Sequence, residues 1–343
     1  MGCRQQSITD NWYLEEYYVG MIERRRRRVF RLIICLLVFS PALFGEGREI
    51  NLSLHAPFRF IAYGDMRFTN PKRSSVSNAA ARRALAQAIA DADPAFISLT
   101  GDLVAKGDST EDWKVWDEET AAWRSRSIAT FPALGNHDLR GDKTGALTNY
   151  FRHFPELENS RYYSVRAAST LILVLDSSLE ELSGAQGQWL HDRLDHLPAE
   201  INFVIFVLHH PPYTLSSPTI TGSGHSARAH EKNLAQWLEA RQQGTRARFV
   251  VFAGHVHNYE RYEHGGVVYF VTGGGGAHPY SVPRDTRDPL FGEKVNYHYL
   301  LVEDGGSKLK ITMNRLSLED GKATWTQPDK IEIEAPRAPA KEK

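Results

Sequence analysis

The stretch FVVFAGHVHNYER, residues 249–261, decides the fold of this 343-residue chain. Its first four residues form an apolar run that predicts a buried strand, and Gly-His-Val-His follows close behind with His255 and His257. The stretch FVIFVLHHPPY, residues 203–213, has the same design, because an apolar run ends at two histidines. Metal-capable side chains directly after buried strands are typical of an α/β fold, in which ligands gather beyond the carboxyl ends of the strands.

Three predicted strands in the first half of the chain end in the same manner. They cover residues 58–63, 95–100 and 131–134, and the residues that follow are Gly64-Asp65, Gly101-Asp102 and Gly135-Asn136-His137-Asp138. Helical patterns separate these strands, which predicts an α/β fold with helices outside a buried sheet. The final third is rich in predicted strands, and this favours a second, mixed or antiparallel sheet.

The charge of the chain is balanced, with 41 basic and 41 acidic residues. This balance argues against the broad basic field of a protein that binds nucleic-acid duplexes. With 42% hydrophobic residues, the chain can bury a substantial core as one large globular domain or two small ones.

The first 45 residues have the layout of an N-terminal extension and a secretory signal. Residues 24–28 are all arginine, and an apolar stretch follows at 32–44. That stretch is shorter than the roughly 20 residues of a membrane span, so we expect export to a periplasmic or extracellular location. We also expect translation to start at Met21. An uncleaved signal that anchors the protein in the membrane is the alternative, and no other membrane contact is expected.

Both cysteines, Cys3 and Cys35, lie in this leader. The rest of the chain can therefore form neither a disulfide nor a thiolate metal site. At the other end, the tail 328–343 is rich in Lys, Glu, Ala and Pro, and this composition predicts disorder.

The five strand ends together offer carboxylate, amide and imidazole groups but no sulfur. Because ligands gather at the carboxyl ends of strands, we expect these groups to converge on one crevice, where they would suit manganese, iron, zinc or similar ions. Each motif alone is weakly diagnostic, since a Gly-Asp pair after a strand is usually an ordinary turn. Five such motifs in this order are hard to explain by the requirements of folding alone.

The order Gly-Asp, Gly-Asp, Gly-Asn-His-Asp, His before proline and Gly-His-x-His resembles that of the calcineurin-like metallophosphoesterases. Within that family, the purple acid phosphatase-like branch is the most similar. The resemblance spans residues 58–313, inside a metallophosphoesterase domain predicted over 55–316. It implies a four-layer fold of two facing mixed β-sheets flanked by helices. It also implies two divalent or trivalent metal ions (Fe, Mn or Zn) at the shared edge of the sheets.

The resemblance implies a role for each ligand in these motifs. Asp102 would bridge both ions, and each ion would have ligands of its own: Asp65 and His257 for the first, and Asn136, His209 and His255 for the second. His209 is preferred over its neighbour His210 because it stands two residues before Pro211, as the ligand does in the family. His210 is then predicted to bind the substrate.

The catalytic assignments also rest on the resemblance. His137 would face the phosphate and stabilise charge or protonate the leaving oxygen, and Asp138 would orient His137. His225 resembles the substrate-facing histidine of the phosphatase-like branch, although an exposed loop histidine is an equally good reading. His278 has no motif support and is predicted to be a surface or structural residue.

Two positions depart from the family pattern. Many members have His two residues after the first Asp, where this chain has Arg67, and purple acid phosphatases have Tyr three residues after the second Asp, where it has Ala105. The first ion therefore lacks its usual extra ligand and is expected to bind weakly. Arg67 is predicted either to clamp a phosphate oxygen, since a guanidinium matches phosphate geometry, or to form a structural ion pair.

The function implied is an exported phosphoesterase that hydrolyses phosphate mono- or diesters with a hydroxide bridging two metal ions. Its partner is a small-molecule phosphate ester or a nucleotide. A nucleotide or cyclic-nucleotide phosphodiesterase is one alternative. Others are a non-catalytic phosphate-binding protein with a degenerate metal site and a structural module of a cell envelope.

Overall fold

The computed structural model describes residues 47–217, 219, 225–292 and 297–335, which form two sheets of seven strands each. Sheet I contains, from edge to edge, β1 (Arg48–Leu52), β5 (Tyr163–Ala167), β6 (Thr170–Val174), β7 (Phe203–Leu208), β8 (Arg248–Ala253), β10 (Val267–Thr272) and β9 (Tyr259–His264). Sheet II contains β13 (Lys322–Thr326), β12 (Lys308–Glu319), β11 (Tyr297–Asp304), β2 (Phe58–Tyr63), β3 (Phe96–Leu99) and β4 (Ala129–Pro132), with β14 (Lys330–Glu334) also paired to β12.

Both sheets are mixed, and each has a parallel part that matters for the site. In sheet II, β2, β3 and β4 are parallel neighbours, whereas β11, β12, β13 and β14 are antiparallel. In sheet I, β6, β7, β8 and β10 run parallel, and the hairpin partners β5 and β9 are antiparallel to β6 and β10. Each sheet therefore gathers the carboxyl ends of several strands at one edge.

Six α-helices accompany the sheets in the described residues. They are α1 (Ala79–Asp91), α2 (Thr110–Glu119), α3 (Ala121–Ser125), α4 (Lys143–His153), α5 (Gly184–Asp195) and α6 (Ala229–Gly244). Apolar residues of α1, α2 and α3 pack with sheet II, and those of α5 and α6 pack with sheet I. This arrangement confirms the prediction of two facing mixed sheets flanked by helices.

Strand β7 shows how the sequence places a sheet between two cores. Phe203, Ile205 and Val207 belong to the core that also contains residues of sheet II, whereas Val204, Phe206 and Leu208 belong to the core under α5 and α6. Successive side chains of a strand point to opposite faces, so a continuous apolar run is required where both faces are covered. Burial of each large side chain contributes about 1.5–3 kcal/mol.

The structure extends beyond the predicted domain limits of 55 and 316 at both ends. Strand β1 pairs in parallel with β5 at the edge of sheet I. The prediction of a disordered tail is wrong for Lys330–Glu334, because β14 pairs antiparallel with the first part of β12. Ile331 and Ile333 alternate with exposed charged residues, as in a strand with one buried face. The high content of charged residues in the tail therefore led to the wrong prediction.

The predicted signal sequence at 1–45 lies outside the described residues. Within the part of the chain that the structure describes, none of the helices combines the length and apolar character needed to cross a membrane.

Candidate metal centre and active site

The oxygen donors of the site follow the three parallel strands of sheet II. Asp65 comes after β2, Asp102 after β3 and Asn136 after β4. Glycine is required at the last of these turns, because a Cβ on Gly135 would lie 2.2 Å from the Asp102 nitrogen. The absence of a side chain there lets the β4 turn lie directly against the carboxylate.

The nitrogen donors follow the parallel strands of sheet I. His209 comes directly after β7, and His255 follows β8. Two bonds tie these turns to sheet II: His209 Nδ1 donates to the Thr100 carbonyl at 2.9 Å, and the His255 amide donates to Asp65 Oδ2 at 2.8 Å. The two sets of strand ends therefore meet in one place, as the motif pattern predicts.

Asp65, Asp102 and His257 form one group of potential metal ligands, here called the carboxylate cluster. Their ligand atoms lie within 4.8 Å of one another, and all three residues are buried. His257 Nδ1 donates to the His278 carbonyl at 2.7 Å, so Nε2 carries the lone pair. It faces Asp65 Oδ1 at 3.6 Å, and neither of these two buried atoms has a hydrogen-bond partner among the described residues. Two unsatisfied buried acceptors that face each other fit a bound cation.

A second group, here called the histidine cluster, consists of Asn136, His209, His210 and His255. The ring nitrogens of its three histidines lie within 4.8 Å of one another. Because His209 Nδ1 donates to a carbonyl, its Nε2 carries a lone pair, which lies 3.0 Å from Asn136 Oδ1 and 3.3 Å from Asp102 Oδ1. Electron pairs that converge in this way also fit a cation, and Asp102 is shared between the two clusters.

The charges of the two buried aspartates are unequally compensated. Burial and the neighbouring Asp102 carboxylate raise the pKa of Asp65 well above its usual range. Burial also opposes ionisation of Asp102, but His209 and Arg67 hold the pKa of Asp102 well below its usual range. The protein itself supplies positive charge to Asp102 and leaves Asp65 in need of a cation.

Backbone strain is concentrated at the site. Asp65, Arg67, Asp102 and His255 have φ angles of 61°, 48°, 54° and 69°, in the left-handed region that side chains other than glycine rarely adopt. Such conformations persist only where the surrounding structure imposes them, and they cluster at functional sites.

His137 lies at the same edge, but Asp138 does not orient it as predicted. The Nδ1 of His137 is 2.8 Å from the Ala105 carbonyl and donates to it, while the His137 amide donates to Asp102 Oδ1 at 2.8 Å. Asp138 instead accepts three backbone N–H bonds, from Leu103, Val104 and Gly135. Its carboxylate therefore joins the turns after β3 and β4, and the carbonyl of Ala105 orients the imidazole.

The two remaining predicted histidines also lie at the site. His225 stacks on His255 with ring centroids 4.8 Å apart, although residues 220–224 before it lie outside the described part. Burial and the neighbouring His255 lower the pKa of His225 to about 4. His210 is buried, and its Nδ1 lies 2.8 Å from the Ser177 hydroxyl. Its position among the ring nitrogens makes His210 a candidate ligand as well as a candidate substrate contact.

Sequence reasoning missed Tyr280. Its ring stacks on His257 at 4.4 Å, and its hydroxyl oxygen lies 3.1 Å from His225 Nε2. The backbone carbonyl of His278, two residues earlier, holds His257. No motif marks this segment, and its only signal is its place shortly after the glycine run 273–276 that follows β10.

The two departures from the family pattern have different structural consequences. The Arg67 guanidinium binds Asp102 Oδ2 through Nε at 3.0 Å and Nη2 at 2.9 Å, so in this structure Arg67 forms the ion pair rather than an open phosphate clamp. Ala105 is buried beside the site and contributes its carbonyl to His137. Neither residue adds a ligand to the carboxylate cluster.

Comparison with known proteins identifies the family. The sequence model of the calcineurin-like phosphoesterase family matches residues 58–259, more than half of the chain. The chain belongs to the calcineurin-like phosphoesterase family. This phosphoesterase is 29% identical over 212 residues to the phosphoenolpyruvate phosphatase of Allium cepa, a match that covers 57% of the chain and 39% of that relative. The chain thus spans about two fifths of the length of that curated relative.

Solved structures show the same fold. One is the purple acid phosphatase PPD1 from yellow lupin (Lupinus luteus) seeds, with a TM-score of 0.61 and 16% identity over 82% of this chain and 54% of that one. Another is GAP50, the anchor in the inner membrane complex of Plasmodium, with a TM-score of 0.58 and 15% identity over 82% of this chain and 89% of that one. At these identities the likeness concerns the fold alone.

Family membership supports the prediction of a metallophosphoesterase, a family that depends on two metal ions. The carboxylate and histidine clusters are suitable ligand groups for those ions. The roles of individual residues and the identity of the metals remain predictions.

Proposed function

We propose that this phosphoesterase is an exported, metal-dependent phosphatase that acts on small-molecule phosphate monoesters. The observation that carries the proposal is the position of Asp102, whose Oδ1 lies 3.3 Å from His209 Nε2 while its ligand atom is within 4.8 Å of those of Asp65 and His257. A single buried carboxylate is thus shared by two ligand groups. This arrangement suits a pair of cations that act on one phosphate.

Asp65, Asp102 and His257 would hold one cation, and Asn136, His209 and His255 the other. Bound divalent or trivalent cations, with Fe, Mn or Zn suited to these donors, supply Lewis acidity that activates water and neutralises charge on the phosphoryl oxygens. The backbone carbonyls of Thr100, Ala105 and His278 accept from Nδ1 of three histidines and fix their tautomers, so that each Nε2 carries the lone pair.

The departing alkoxide of a phosphate ester requires a proton, and two histidines are suited to donate it. His137 has Nδ1 bonded to a carbonyl, which leaves Nε2 to exchange the proton. His225 stacks on His255, and its Nε2 lies 3.1 Å from the Tyr280 hydroxyl. Burial lowers the pKa of both imidazoles, so proton donation by either one is favoured at acidic pH.

A monoester is favoured over a diester by the nature of the curated relative, a phosphatase of the monoester phosphoenolpyruvate. Nucleotide and cyclic-nucleotide diesters are the competing substrates.

The test compares hydrolysis of mono- and bis-nitrophenyl phosphate by metal-loaded wild type, His257→Ala and Asp102→Asn. We expect wild type to prefer the monoester and each variant to lose at least about a hundredfold in kcat/KM. His196→Ala is the control, because His196 is exposed, pairs with Asp192 and belongs to neither ligand cluster. A preference for the diester would shift the assignment to a phosphodiesterase. Bound metal and phosphate without turnover of either ester would contradict the proposal.

Export is proposed from the basic run at 24–28 and the apolar stretch at 32–44. Expression of the full chain, followed by fractionation and N-terminal sequencing, tests it. A mature N-terminus near residue 45 in the exported fraction is expected. Retention of the stretch in a membrane fraction would indicate the uncleaved anchor instead.

A further inference from the structure

A positively charged side chain, that of Arg67, binds directly to the carboxylate cluster. The Arg67 guanidinium makes two hydrogen bonds to the same oxygen, Asp102 Oδ2, at 3.0 and 2.9 Å. The other oxygen, Asp102 Oδ1, faces His209 and accepts from the His137 amide. The two oxygens of the shared carboxylate therefore have different partners, one the Arg67 guanidinium and the other the His209 ring and the His137 amide.

Arg67 is held firmly in this position. Its backbone amide donates to the Asp102 carbonyl at 2.9 Å, and its own carbonyl accepts from the Ser77 hydroxyl at 3.0 Å. Its φ angle of 48° is of the kind that only surrounding contacts maintain. The side chain is 11% exposed, so solvent screens its charge only slightly. The ion pair is a built feature of the turn after β2.

We propose that Arg67 competes with a cation for Asp102 Oδ2, so that the carboxylate cluster binds its ion much more weakly than the histidine cluster. A guanidinium at this place repels a nearby cation, and it already binds one of the two oxygens that Asp102 can offer. The histidine cluster is affected less, because His209 faces the other oxygen of the shared carboxylate, Oδ1. The phosphoesterase would therefore load its two ions in order, with the histidine cluster first.

This inference rests on the proposed metal centre but not on turnover, so its test is a binding measurement without substrate. The full chain is stripped with a chelator and titrated with Mn²⁺ by calorimetry, and retained metal is counted after desalting. Arg67→Gln removes the charge, whereas Arg67→Lys keeps it. Arg140→Gln is the matched control, since Arg140 is an exposed arginine in the turn after His137 and makes no ion pair among the described residues.

We expect wild type to bind two Mn²⁺ ions in steps at least about tenfold apart and to retain about one ion after desalting. Arg67→Gln should bring the two steps within about threefold, while Arg67→Lys and Arg140→Gln keep the wide gap. Arg67→Met, which is neutral and leaves the carboxylate cluster without an imidazole ligand, repeats the test in case the glutamine variant does not fold.

Two equal steps in wild type would overturn the inference by themselves. An unchanged gap in a folded Arg67→Gln or Arg67→Met protein would also overturn it. Failure of the proposed function has a different signature, because the protein would then bind two ions as described and hydrolyse no ester.

Discussion

Sheet II provides the oxygen donors of the metal centre, whereas sheet I provides the nitrogen donors. Asp65, Asp102 and Asn136 follow strands of sheet II, and His209 and His255 follow strands of sheet I. Each ligand cluster nevertheless draws on both sheets. The carboxylate cluster needs His257, from the loop after β8, and the histidine cluster needs Asn136.

This division means that neither sheet alone carries a complete metal site. The turns are brought together by the packing of the sheets and by direct bonds such as that of His209 to the Thr100 carbonyl. Ions that bind only when the two sheets are packed must stabilise that packing, since binding to the folded state alone shifts the folding equilibrium. The comparison of the sheets therefore predicts that metal binding and folding are coupled.

Removal of the ions is expected to have the largest effect. A ligand present at about a thousand times its dissociation constant stabilises a protein by roughly 4 kcal/mol, which corresponds to a fall in Tm of about 10 °C when the metal-loaded phosphoesterase is stripped with a chelator. Thermal melts followed by circular dichroism measure this change. Asp102→Asn is the control and should respond little. A protein that carries two ions and melts at the same temperature without them would show that the sheets pack independently of the metal.

Gly135→Ala tests the contact between the β3 and β4 turns. The added Cβ would lie 2.2 Å from the Asp102 nitrogen and 2.3 Å from its Oδ1, so the turns must separate. We expect a loss of about 3 kcal/mol in the free energy of unfolding, together with weaker metal binding, measured by denaturant titration and metal analysis. Gly244→Ala, with no atom within 4 Å of its Cβ, should be nearly neutral. Equal stability of the two variants would mean that the site tolerates wider turns.

The oxygen and nitrogen donors could be predicted from the sequence because each directly follows an apolar strand. The strand predicts where the chain leaves the sheet, so Asp65 or His255 is placed within a residue or two before any tertiary contact is known. Strand β2 spans the predicted residues 58–63 for the same reason, since the strand ends at Gly64-Asp65.

Other features depend on tertiary contacts that leave no local pattern. Tyr280 reaches the site from a loop without a motif, and Asp138 binds the turns instead of His137 because three amide groups compete for it. Strand β14 pairs with the long strand β12, which a charged tail does not indicate. The ion pair of Arg67 was one of two open alternatives, and only the distance to Asp102 decides between them.

Glu181, a buried residue in the segment between β6 of sheet I and α5, tests how a buried carboxyl group affects the stability of the protein. This buried residue follows β6, and burial together with the neighbouring Glu231 carboxylate raises its pKa to about 8. The folded protein therefore keeps a proton that the unfolded chain releases above its ordinary pKa, and stability falls as pH rises toward 8. Relative to wild type, Glu181→Gln should gain about 2 kcal/mol in unfolding free energy between pH 5 and pH 8, measured by urea titration. The exposed neighbour Glu180 provides the control, Glu180→Gln. A pH-independent difference would indicate that Glu181 is ionised in the folded state.

The smallest expected effect comes from Tyr280→Phe. This variant tests whether the histidines of the site need a hydrogen-bond partner from a residue outside both sheets. The substitution keeps the ring that stacks on His257 but removes the hydroxyl that lies 3.1 Å from His225 Nε2. If this hydroxyl positions His225 for proton transfer, kcat/KM should fall by about tenfold, or 1.4 kcal/mol, while the metal content stays the same.

The control is Tyr213→Phe. It removes a comparable hydroxyl bond, to Glu239, from residues that belong to neither ligand cluster, and it should leave the rate unchanged. Should Tyr280→Phe retain full activity while His225→Ala loses it, His225 acts without the tyrosine. Metal lost from Tyr280→Phe would instead place the role of the hydroxyl at the carboxylate cluster.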